Sequence, residues 1–108
     1  MATTIRSGIS DVVNVLNKVR NNTTVAQDQI DLQKVINALM ILWQQVIFDQ
    51  LDKTTDDYNA AIASLNEAEK SAKSALKDLQ NVAGAIKDAV AAAKAVDKVV
   101  NFAIKLFV

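Results

Sequence analysis

Asp49, Asp52, Asp56 and Asp57 crowd the middle of the chain, and with no histidine present they are the first candidates for acid–base or metal chemistry. If the flanking helices meet in a tight turn, Asp49, Asp52 and Asp56 line one face, where three carboxylates could hold a divalent cation. The pattern lacks the glycine-containing loop and bidentate glutamate of an EF-hand. Acids near a helix start are also ordinary solvated residues that complement the helix dipole. No metal and no other cofactor is therefore expected.

Other routes to catalysis are closed by composition. Ser7, Ser10, Ser64, Ser71 and Ser74 have no imidazole to activate them. With no cysteine there is no thiol nucleophile, thiolate zinc site or disulfide framework. The only glycines, Gly8 and Gly84, lie 76 residues apart, so neither a P-loop nor a GxGxxG turn exists. An enzyme is not expected.

Lys87, Lys94, Lys98 and Lys105 form the second group with a chemical reading. On a helix they fall within about 40° of one another at 100° per residue, opposite an apolar surface. That outline suits an amphipathic helix resting on anionic lipid. It equally suits a solvated stripe on the outside of a bundle. The twelve basic and twelve acidic residues cancel, which removes the electrostatic footprint of a nucleic-acid binder.

The elements that must position these residues are all helical. The chain has no proline, 51% apolar residues and almost no turn punctuation, so the expected fold class is all-α, a single helical domain over 1–108. Ile5, Ile9, Val12, Val13, Leu16 and Val19 share one face of a 3.6-residue period and predict a short first helix at about 4–20. Asn21 to Thr24 end it. Thr24 and Gln27 have capping-box spacing and start a second helix at about 25–52. This helix is apolar nearly all round from Ala38 to Trp43 and again at Val46, Ile47 and Phe48, so it must be covered on more than one side.

From Tyr58 onward one apolar register persists for seven heptads. Tyr58, Leu65, Ala72, Leu79, Ile86, Ala93, Val100 and Phe107 form one seam row; Ala61, Ala68, Ala75, Val82, Ala89, Val96 and Ala103 form the other. A seven-residue repeat is what keeps one helical stripe against a partner. The unbroken phase predicts a single long helix at about 56–105, with a four-helix bundle broken near Gly84 as the alternative.

Such a rod would span roughly 75 Å against about 42 Å for the second helix, leaving its second half uncovered. The expected interface is therefore Leu79, Val82, Ile86, Ala89, Ala93, Val96, Val100, Ala103 and Phe107, together with Leu39, Trp43, Ile47 and Phe48. Acids at the rod's start (Asp56, Asp57, Glu67, Glu69) and lysines towards its end favour an antiparallel partner, although the helix dipole alone accounts for the same bias.

The leading expectation is thus a non-enzymatic, self-associating helical protein, an antiparallel homodimer or a larger assembly such as a filament. A membrane-active protein that stores its amphipathic C-terminal segment in a bundle is the alternative. A small adaptor or inhibitor that lays this helix in the groove of another protein is the third. The sequence opens with no secretory signal, and its longest apolar run, Ala38 to Trp43, is too short to span a bilayer. A cytoplasmic location is the default expectation.

Overall fold

The computed structural model describes residues 4–48 and 55–100. Among them are four α-helices and no strand: α1 (Ile5–Asn22), α2 (Ala26–Phe48), α3 (Asp56–Lys77) and α4 (Val82–Val100). The all-α bundle expected from composition is the fold.

Local chemistry sets the helix starts. Thr4 caps α1: its hydroxyl accepts from the Ser7 backbone N–H at 3.1 Å, and the Thr4 N–H donates to the Ser7 hydroxyl at 3.2 Å. Two of the orphan donors of a helix start are thereby satisfied. The Ile5 N–H donates to the buried Tyr58 hydroxyl at 3.4 Å, which ties the start of α1 to the start of α3. Thr55 caps α3 by accepting from the Tyr58 N–H, and Asp56 and Asp57 occupy the first turn. At α2 the expected capping box differs. The Gln27 side chain donates forward to Asp31, while Gln29 donates to the Thr23 carbonyl at 2.7 Å.

The predicted continuous helix over 56–105 is instead folded in two. Asp78 is extended, its carboxylate accepts from the Gln80 N–H, and residues 79–81 make a single 3₁₀ turn before α4 begins. The four-helix alternative is realised, with the break at Asp78 to Asn81 rather than at Gly84. A rod of that predicted length would exceed the longest dimension of the molecule, 40 Å, almost twofold.

Helices α1 and α2 are antiparallel, with Arg20 donating to Gln33 at one end and Arg6 lying over Trp43 at the other. α3 and α4 are likewise antiparallel, joined by Lys98 and Asp57 at 3.3 Å and by the Ser71 hydroxyl donating to Asp88. α1 packs on α3 and α2 on α4. This places α2 diagonally from α3, so the hairpins stack as pairs around one continuous hydrophobic cluster.

Candidate functional site

The seam expected to seek a partner is occupied within the chain. Leu39, Val82, Ala89, Ala93 and Val96 are buried, and Trp43, Ile86 and Val100 pack partly buried against the core. Turning back at Asp78 lays the second half of the heptad stripe on the first, so each covers the other. Among the described residues of the expected interface only Leu79, at the bend, remains substantially exposed. The side chains of Ile47 and Phe48, and residues Ala103 and Phe107, lie outside the described residues.

The charge asymmetry is resolved the same way. Acids at the start of α3 and lysines at the end of α4 meet through the hairpin, where Asp57 pairs with Lys98. Both side chains are at least half exposed, so this pair fixes little energy. The antiparallel relation anticipated between two chains exists between α3 and α4 of one.

Lys87, Lys94 and Lys98 are exposed along the outside of α4, while Lys105 lies outside the described residues. Ala83, Gly84 and Ala91 are also exposed on this helix. Of the four central acids, Asp56 and Asp57 are exposed on α3, and Asp49 and Asp52 lie outside the described residues. Among the described residues no group of three metal-ligating side chains lies close enough to share an ion.

An open cleft of about 290 Å³ sits beside the α3–α4 bend, lined by Ser71, Ser74, Gln80, Asn81, Gly84 and Ala85. Its polar groups serve the bend itself. Ser71 donates to Asp88, and the Asn81 side-chain amide donates to the Ser74 hydroxyl at 3.1 Å.

The surface that stands out is on α2. Five large apolar side chains are substantially exposed: Val25 (55%), Ile30 (49%), Met40 (40%), Ile41 (46%) and Leu79 (41%). Three of the five, Ile30, Met40 and Ile41, fall in α2, and Val25 immediately precedes it. Ile30, Lys34, Asn37, Ile41 and Gln44 are all exposed and lie within about 40° of a common direction at 100° per residue. Opposite them Leu32, Val35, Leu39 and Leu42 are buried. Around the edge of α2, the Arg6 guanidinium stacks 5.1 Å from the Trp43 ring centroid, a cation–π contact that holds the partly buried indole against α1.

The interface expected from the sequence takes Leu39, Trp43, Ile47 and Phe48 from this helix and does not include the exposed Ile30, Met40 and Ile41. The eleven-residue separation of Ile30 and Ile41, three helical turns, was the available signal. No helix among the described residues is long and apolar enough to cross a membrane. The chain matches no protein-family model, no curated protein and no solved structure.

Proposed function

We propose that this protein is a non-enzymatic association module, a four-helix bundle that joins a second copy of itself through the outward face of α2. The observation that carries this reading is the exposure of Ile30 and Ile41 on one outward face of α2, with exposed Met40 beside Ile41. Apolar side chains gathered on one surface, rather than scattered singly, mark a contact site. Among the described residues the seam of α3 and α4 is covered inside the chain except at Leu79, which leaves α2 as the face with most to gain from a partner. Sedimentation equilibrium between about 10 and about 500 µM tests it, a range chosen for an interface smaller than the standard size. The expected result is a mass that rises above the monomer with concentration. A monomer throughout overturns the reading.

A second reading rests on α4. Its buried face is mostly alanine and its outer face carries Lys87, Lys94 and Lys98. Released from the bundle, such a helix would offer lysines on one side and Val82, Ala89 and Val96 on the other, a form suited to anionic lipid. Co-sedimentation with anionic vesicles, compared with neutral ones, separates the two readings. Binding that vanishes in Lys94→Glu/Lys98→Glu supports the membrane role, and absence of binding removes it.

A further inference from the structure

We propose that the α3–α4 bend is a hinge with two states: the folded hairpin, and a continuous helix over 56–100 that hands α4 to a second copy of the chain. This goes beyond association through α2 and makes no use of that face. The inference comes from burial across the bend. On both rows of the heptad seam, from Tyr58 to Val100, every residue but Leu79 is buried or partly buried. The seven-residue register thus holds on both sides of the bend, and it is the register a straight helix needs to keep one stripe covered. Leu79 is 41% exposed in the bend, yet it lies on the seam once the helix runs through. In sequence, the midpoints of the cross-helix pairs Ser71–Asp88 and Asp57–Lys98 fall beside Leu79. Two straightened copies laid antiparallel therefore repeat these α3–α4 pairings between chains, and their Leu79 side chains meet at the two-fold axis.

The bend has no residue that forbids a helix. It holds no glycine or proline, and Asp78 is in ordinary extended backbone. Two side-chain hydrogen bonds hold it closed: the Asp78 carboxylate accepts from the Gln80 N–H at 3.1 Å, and the Asn81 amide donates to the Ser74 hydroxyl at 3.1 Å. Against them, a continuous helix gives intrahelical partners to the carbonyls at the end of α3 and to the N–H groups at the start of α4. In either state α4 keeps the same neighbours, because it packs on α3 and α2 of the other copy as it does on its own. The second copy therefore covers nothing that the hairpin does not already cover, apart from Leu79. Tethering favours the closed form, since it holds α4 beside its own bundle at an effective concentration on the order of mM. Exchange needs a comparable protein concentration and release of α4 from the core.

Refolding from urea at about 1 mM, near the effective concentration of the tether, followed by size exclusion, tests the hinge. Asp78→Ala/Asn81→Ala removes both holding side chains and raises helix propensity, so its ratio of dimer to monomer exceeds that of wild type about tenfold or more. Leu79→Pro does the reverse. Extended Asp78 suits the residue before a proline, and Leu79 opens a helical turn, where the missing N–H is not needed. Inside a continuous helix the same proline breaks the hydrogen-bond ladder. Added to the double variant, it returns the dimer to a monomer that still melts cooperatively. To tell exchange from contact through α2, the dimer is formed with Ser71→Cys/Asp88→Cys and oxidised. An exchanged dimer becomes disulfide-linked between chains. A dimer that keeps its disulfides within each chain overturns the hinge and leaves association through α2 standing. A double variant that dimerises no more than wild type, or whose dimer survives the added proline, also overturns it.

Discussion

The two hairpins of this bundle are built from different materials. In α1 and α2 the buried positions are branched and large: Ile5, Ile9, Val12, Leu16, Val19, Leu32, Val35, Leu39 and Leu42 among them, with Ala38 the one buried alanine. In α3 and α4 the buried positions are mostly alanine: Ala61, Ala68, Ala72, Ala75, Ala85, Ala89, Ala92 and Ala93, with Tyr58, Leu65, Val82 and Val96 as the larger exceptions. Because α1 packs on α3 and α2 on α4, large side chains of one hairpin rest on the small-residue faces of the other. Small residues let helix backbones approach, and the bulk that fills the interior comes from across the bundle. One hairpin supplies apolar volume; the other supplies close approach and, through alanine, strong helix propensity.

This difference predicts that opposite size changes destabilise the two halves: loss of bulk in one, gain of bulk in the other. Leu16→Ala removes a fully buried side chain from the volume-supplying half. The expected loss is about 2–5 kcal/mol of unfolding free energy, the range for such cavities, measured by urea denaturation. Ala72→Leu goes the other way, inserting bulk where helices approach closely. Its expected cost is about 1–3 kcal/mol from overpacking, by the same measurement. Were Ala72→Leu stabilising, the close-packed description of the α3–α4 face would fail. Gly84→Ala should be the mildest change and favourable. Nothing lies within 4 Å of the position a Cβ would take there, and replacing a helical glycine gains about 0.4–1 kcal/mol. A small rise in melting temperature is the readout.

Much of the architecture was legible in the residues, and its failures have physical causes. The start of α1 was legible from the apolar period that begins at Ile5, and the structure adds the Thr4 cap that fixes it; α3 begins where expected, at Asp56, capped by Thr55. The bend at Asp78 escaped because Ala75 and Val82, on either side of it, are seven residues apart. A turn of that length returns both helices to the same heptad phase, so the register passes through it unbroken. The local signs were there: Asp78 accepting from the Gln80 N–H and Asn81 donating back to Ser74. Gly84 drew attention as a breaker, yet sits inside α4, where a single glycine is tolerated at modest cost.

The candidate surface was less legible than the fold. α2 is apolar nearly all round between Ala38 and Trp43, so periodicity alone does not say which side the rest of the chain leaves uncovered. Only the placement of α1 and α4 decides that Leu39 and Leu42 turn inward while Met40 and Ile41 turn out. Opposite ends of the 56–100 segment do meet antiparallel, as Asp57 and Lys98 demonstrate; the hairpin achieves within one chain what the continuous rod would have required of two.

The closure of the alanine seam within a single chain is the claim on which the α2 assignment depends. Ser71 and Asp88 hydrogen-bond across α3 and α4, so cysteines at both positions test it directly in a protein with none of its own. Oxidised at about 1 µM, well below where a contact of one helix face is populated, Ser71→Cys/Asp88→Cys should form its disulfide within one chain and migrate as a compact monomer. Disulfide-linked dimers without the intrachain species would mean that α3 and α4 are paired between molecules, and would contradict the account.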